Sequence, residues 1–342
     1  MGASLRYLTD GFDLHGHSGR GAFLVTLVLA AGLVLAWLWL VQGGVGPRWI
    51  EVIAILAVAV FWVPLNGQIL RRLNDAGLPG WLWALILLPW GWLALVLLLL
   101  ARRGTPLKSH QMSAPLRFLG LLGLGLMALL IASRIAWAPY WLPGGSMKPT
   151  LLVGDMVAAT RGTPERGDII VFRDRASGVI YLKRVIGLPG ERVQLRGGQV
   201  FIDDVAVAVA PDGLFTETMA EQGPLGVLPQ CSSGAVGIGA DCLKQRFTET
   251  LPGGRTHSIL NIGARPLDNT GTYQVPDASY FVLGDNRDNS RDSRLPEGSG
   301  GIGFVARDEV LGRVRLVILS SESGRFWALW DWRGDRIWRV VR

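Results

Sequence analysis

Four long stretches without a charged residue, 21–47, 52–70, 76–101 and 118–133, constrain this chain more than any other feature. A bilayer-spanning helix needs about 20 apolar residues, so the first three qualify, and the fourth does if it runs on to Trp141. Composition points the same way, with 49% of the 342 residues hydrophobic and only 18% charged, which argues against one soluble globular domain. The net charge of +7 is concentrated in the same half: residues 1–138 hold ten Lys and Arg against four Asp and Glu, and residues 139–342 hold 24 against 23. Ten of the 14 tryptophans lie between Trp37 and Trp141, clustered at the ends of the apolar runs as interfacial rings would be. The first 20 residues are polar and include Asp10 and Asp13, which argues against a cleavable signal peptide. The expected architecture is a multi-pass α-helical membrane region of about four spans over 1–141, followed by a polar domain over 142–342.

The charges pull orientation both ways. The loop 102–117 holds Arg102, Arg103, Lys108 and Arg117, which favours a cytoplasmic loop and an outward C-terminal half. The overall count is nearly tied, with four positive side chains on one side against five on the other. Basic residues scattered between apolar runs are membrane flanks rather than a nucleic-acid stripe, so no nucleic-acid partner is expected. The segment Arg71-Arg72-Leu73-Asn74-Asp75-Ala76-Gly77-Leu78-Pro79-Gly80-Trp81 resembles the R-x-x-D-x-G-x-x-G-W signature of a family of small bacterial inner-membrane proteins of uncharacterised function. A glycine-capped polar turn between two spans explains the same residues.

After Trp141 the pattern becomes short β-branched and aromatic runs with period-two alternation and Gly or Pro punctuation, which predicts a mostly-β domain. Only four histidines exist, and His257 alone lies in this half, in a glycine-rich stretch that reads as a solvated loop. A Ser-His-Asp triad would depend on that single residue, and a histidine-rich metal site is impossible. Cys231 and Cys242 bracket a flexible loop. A disulfide, which would persist only in an oxidising compartment, competes there with two buried thiols.

Three segments carry candidate chemistry. In Pro143-Gly144-Gly145-Ser146-Met147-Lys148-Pro149-Thr150, two glycines before a serine let the backbone approach a substrate closely. In Tyr181-Leu182-Lys183-Arg184-Val185, strand alternation puts Tyr181, Lys183 and Val185 on one face. An ammonium among apolar neighbours loses its proton more readily and can act as general base toward a serine hydroxyl. A lysine snorkelling from a strand edge fits the same pattern. In Asp285-Asn286-Arg287-Asp288-Asn289-Ser290-Arg291-Asp292-Ser293-Arg294, alternating carboxylates, amides and guanidinia can form a buried network. The spacing lacks the Gly and terminal Glu of a calcium loop.

In this order, the three segments resemble bacterial type I signal peptidase, the leader peptidase family of Ser/Lys membrane endopeptidases, over residues 138–318. The resemblance implies that Ser146 is the nucleophile and Lys183 the general base, with Ser290 orienting the lysine and Asp292 and Arg294 forming a supporting ion pair. It implies an extended substrate strand between 139–146 and 180–183, bordered by Gly144, Gly145, Met147 and Tyr181. It further implies a non-catalytic β insertion at about 193–278. No metal or organic cofactor is required. The implied partners are signal peptides of secreted preproteins, membrane lipid and the export translocon. The implied location is the bacterial inner membrane, with the catalytic domain on its outer face. Gly144 stands where some members have an oxyanion-binding serine, so backbone N–H donors are expected there, that of Ser146 included. A specialised Ser/Lys processing peptidase and a non-cleaving membrane scaffold are the alternatives. The tail at 325–342, rich in Trp and Arg, suits either a packed terminal strand or docking on lipid.

Overall fold

The structure, a computed structural model, describes residues 20–43, 65–78, 82–83, 91–101, 129, 133–134, 136–223, 226–234, 236–297, 300–324 and 329–341. The chain divides into two compact units, Met1–Arg134 and Ile135–Arg342.

In the first unit, helices are described at α1 (Arg20–Gly43), α2 (65–75) and α3 (Gly91–Leu100). Leu65, Ile69 and Leu73 recur every four residues and so share one face of α2, where they form a buried cluster with Phe23 and Leu98. The last carbonyls of α3, which a helix leaves unbonded, accept from arginines. Arg72 Nε donates to Leu98 O at 3.2 Å, and Arg20 Nη2 donates to Leu100 O at 3.2 Å and to Ala101 O at 3.0 Å. Among the described residues, no helix is long and apolar enough to cross a membrane. That finding overturns the expected region of about four spans. Charge-free sequence need not be one continuous helix. The run 76–101 contributes the ten-residue α3, about 15 Å long and half a hydrocarbon core. The end of the run 52–70 continues, within α2, into buried Arg71, Arg72 and Asp75. Residues 44–64, 84–90 and 102–128, which hold much of the expected spans and the loop used to orient them, lie outside the described residues.

The second unit is built from strands. In chain order they are β1 (Trp137–Trp141), β2 (Asp155–Thr160), β3 (Ile169–Arg173), β4 (Ile180–Gly187), β5 (Arg192–Arg196), β6 (Gln199–Ile202), β7 (Val205–Ala206) and β8 (Ala208–Thr218). They continue with β9 (Asp241–Thr250), β10 (Thr256–Asn261), β11 (Tyr273–Gln274), β12 (Ser279–Leu283), β13 (Val305–Ala306), β14 (Val310–Ser320) and β15 (Arg339–Val340). The main sheet has the order β1-β2-β14-β3-β4-β12-β13, with β15 on β14.

Strand β3 lies between β14 and β4 and is apolar on both faces: Ile169, Ile170, Val171 and Phe172 are all fully buried. Its side chains alternate between two cores. Ile169 and Val171 join Leu151, Leu182 and Val317, whereas Ile170 and Phe172 join Val185, Tyr280 and Val282. Each such side chain contributes about 1.5–3 kcal/mol by burial, so the sheet at β3 and β4 is the rigid support on which the candidate residues stand.

The stretch from β5 to β11 forms two smaller sheets, β11-β5-β6-β7 and β10-β9-β8. The first packs Val193, Leu195 and Val200 against Ile186 and Phe281. The β8–β9 hairpin continues into a loop that the Cys231–Cys242 disulfide ties back to β9. At the C-terminus β15 pairs with β14, while Trp330 and Trp338 stand 76% and 67% exposed. The tail therefore has the packed strand and also presents exposed indoles.

Candidate active site

Ser146 and Lys183 lie 37 residues apart in sequence, yet Lys183 Nζ donates to Ser146 Oγ at 2.7 Å and to Leu182 O at 3.1 Å. Pairing of β3 with β4 sets Lys183 opposite Ile170 and Tyr181 opposite Phe172, on the same face as that second core. Lys183 is consequently 2% exposed, with its ammonium 5.7 Å from the Tyr181 ring centroid. Burial pulls its pKa down from 10.5 to about 8. The carboxylates of Asp292 and Asp285 pull the other way, and Arg294 adds to the lowering. Holding a charged ammonium there costs about 3 kcal/mol.

The turn bearing Ser146 is fastened from the third segment. Asn286 donates from its backbone N to Ser146 O and from Nδ2 to Gly145 O, both at 3.0 Å. Gly284 is demanded by this approach, because a Cβ there would fall 2.6 Å from Ser146 O. Asp292 accepts from Arg294 Nε at 2.8 Å, from Arg294 Nη2 at 2.9 Å and from Gly284 N at 3.1 Å.

A second buried pair joins all three segments. Arg184, next to Lys183 and so on the opposite face of β4, donates to both oxygens of Asp285 at 2.8 and 2.7 Å and to Gly167 O at 2.7 Å. Thr150 Oγ1 donates to Asp285 Oδ2 at 2.5 Å. Burial pushes the Asp285 carboxyl up, but the Arg184 guanidinium outweighs it and leaves it below the ordinary range. Sequence reasoning missed Thr150, Arg184, Asp285 and Asn286 as supports of the site. The signal available was their place inside the same three segments, with Arg184 on the face of the strand that Lys183 does not use.

Other expectations are modified by the structure. Met147 is 1% exposed within the core rather than at a surface that could meet substrate, because the residue after Ser146 turns inward beside Leu142 and Leu151. Gly144 is exposed with open space around it, and Gly145 is backed by the Lys148 stem. Tyr181 is half-buried and stacks on Phe172 at 6.0 Å. Ser290 packs against Gly284, but its hydroxyl is buried without a hydrogen-bond partner, so the expected bond to Lys183 is not made. His257 is not a solvated loop residue: it sits on β10, 8% exposed, with Nε2 3.2 Å from Glu249 Oε2, and Arg287 Nη2 donates to the same oxygen at 2.6 Å. Burial lowers the His257 pKa. Among the described residues no group of His, Cys, Asp and Glu could hold a metal ion. A cavity of about 490 Å³ lies beside Thr150, Arg246, His257 and Arg336; its lining includes neither Ser146 nor Lys183, so the candidate dyad lies outside it.

Comparison with known proteins agrees with these motifs. The family model for signal peptidase, peptidase S26, matches residues 116–319, and a protein family of unknown function, DUF805, matches residues 11–110. Signal peptidase I of Rickettsia typhi is 30% identical over 227 residues, 56% of this chain and 76% of its own length. Signal peptidase I of Rickettsia felis is 31% identical over 232 residues, 57% of this chain and 76% of its own. The crystal structure of a signal peptidase I from Enterococcus faecalis aligns with 45% of this chain and 98% of its own at 25% identity, with a TM-score of 0.24. The chain belongs to the signal peptidase family, peptidase S26, and is a serine endopeptidase.

Proposed function

We propose that Ser146 and Lys183 are the catalytic dyad with which this peptidase removes signal peptides from exported preproteins. The observation that carries the reading is the hydrogen bond between Lys183 Nζ and Ser146 Oγ, made by a lysine whose pKa burial has brought to about 8. In its neutral form the amine accepts the Ser146 proton as Oγ attacks the scissile carbonyl. The resulting oxyanion is met by backbone N–H donors, that of Ser146 among them. The Lys183 ammonium then returns the proton to the leaving amine, giving an acyl-enzyme. A water activated by the same amine hydrolyses the ester and restores Ser146.

The substrate adds as an extended strand. Antiparallel β12 pairs with β4 only at Arg184, Val185 and Gly187, so among the described residues no strand covers the edge of 180–183 on that side. Strand β1 is likewise at the border of its sheet. Open strand edges bind peptides through main-chain hydrogen bonds, with alternate side chains entering pockets. Tyr181 and the backbone of Gly144 and Gly145 border this path, and Asp292 with Arg294 supports the base from behind. The Cys231–Cys242 disulfide supports a site of action on the outer, oxidising face of the inner membrane.

The test is cleavage of a purified preprotein by the wild-type chain, Ser146→Ala and Lys183→Ala. Both variants are expected to lose cleavage, and an unchanged rate in either overturns the dyad.

A further inference from the structure

The residue two places after Ser146 is also a buried lysine. Lys148 is 4% exposed, and its ammonium donates to the Glu217 carboxylate and to Gln222 Oε1, the latter at 2.5 Å. Neither partner belongs to the catalytic sheet: Glu217 lies on β8 and Gln222 just beyond it. The carboxylate is itself fixed, because Lys244 Nζ on β9 donates to Glu217 Oε1 at 2.5 Å and Gln222 Nε2 donates to Glu217 Oε2 at 2.8 Å. In the β8–β9 register Glu217 faces Cys242, so the disulfide closes onto the same rung of the hairpin.

The two segments approach as closely as their backbones permit. Gly223 adopts φ +64°, and a Cβ there would fall 2.7 Å from Val153 Cγ1 and 2.8 Å from Pro143 O. The Lys148 stem in turn backs Gly145: a Cβ on that glycine would lie 3.1 Å from Lys148 Cε. The turn 143–148 is thus gripped from two directions, by Asn286 on its carbonyls and by the insertion through Lys148.

We propose that Lys148 is a positioning residue, through which Glu217 and Gln222 of the β insertion set the turn that presents Ser146 to substrate. This rests on Ser146 being the nucleophile. A displacement of about 1 Å at a reacting atom can cost up to about 100-fold in rate, whereas a wall of the substrate path would change KM instead.

The experiment measures kcat and KM for preprotein cleavage by the full chain carrying Lys148→Met, Lys148→Arg or Glu217→Gln, with Ser146→Ala as reference. Lys148→Met is expected to lower kcat by about ten-fold with KM within about two-fold of wild type. Lys148→Arg, which keeps a donor for Glu217, is expected to restore most of that loss. Wild-type kcat in Lys148→Met beside an inactive Ser146→Ala overturns the positioning role and leaves the nucleophile standing. An active Ser146→Ala overturns the reading beneath it. If Lys148→Met does not fold, isosteric Glu217→Gln decides: it removes the anchoring charge and is expected to lower kcat about three-fold at constant KM, and unchanged kcat overturns the proposal.

Discussion

The catalytic sheet and the β insertion each help to bury a lysine beside Ser146, and they hold it in contrasting ways. Lys148 meets a carboxylate directly, and Lys244 shares that carboxylate from the other side. Burial lowers the Lys148 pKa, and Glu217 opposes the fall. Lys183 hydrogen-bonds, among the described residues, to a hydroxyl and a carbonyl, and the carboxylates that act on it, Asp292 and Asp285, are committed to Arg294 and Arg184. Burial then carries it to about 8. Depth of burial therefore does not select a base. What separates the two is an anion at contact distance: Glu217 opposes the fall at Lys148, whereas among the described residues no carboxylate hydrogen-bonds to Lys183.

Lys183→Met should break this contrast most strongly. Cleavage is expected to fall by about 10²- to 10⁴-fold, as for loss of a general base. The same variant should be about 1–3 kcal/mol more stable at pH 7 by urea unfolding, since no charge is desolvated. The sign follows from linkage. The folded value of about 8 lies below the 10.5 of an unburied lysine, so the unfolded chain binds more protons between them, and wild-type stability rises with pH over that window. The rise should be missing in Lys183→Met.

Arg184→Met, directly beside Lys183, removes one half of a fully buried pair and strands Asp285. A loss of about 3–5 kcal/mol is expected in the same unfolding assay, far more than any exposed pair would show. On the insertion side, Cys231→Ser with Cys242→Ser should cost about 2–3 kcal/mol, the loop-closure contribution of a short loop, read as a lower Tm. The pH midpoint of activity should stay where Lys183 sets it.

What the chain discloses before folding follows the range of its interactions. The face of β4 shared by Tyr181, Lys183 and Val185 is a local alternation and was legible, as were the three motif-bearing segments and the pairing of two nearby cysteines. Contacts across long separations were not: Arg184 reaches Asp285 over 101 residues, and Lys148 reaches Glu217 over 69. His257 reads as a loop residue beside Gly253 and Gly254, yet pairing of β10 with β9 carries it inward to Glu249. Charge-free length suggested four membrane spans, because hydropathy registers how apolar a stretch is and is blind to where one helix stops. The adjacency of Ser146 to Met147 said nothing of their facing opposite ways, one toward Lys183 and the other into the core.

The most direct test of the dyad is the pH dependence of kcat/KM for preprotein cleavage, which reports the free enzyme's essential base. The neutral amine is the active form, so kcat/KM should rise with pH through one ionisation near 8. Asp292→Asn should move that midpoint lower, because of the two carboxylates that hold Lys183 up Asp292 contributes more, and Asp285 alone would then oppose burial and Arg294. A midpoint below the ordinary histidine range that vanishes in His257→Gln, or one that Asp292→Asn raises, would contradict the assignment of Lys183 as the base.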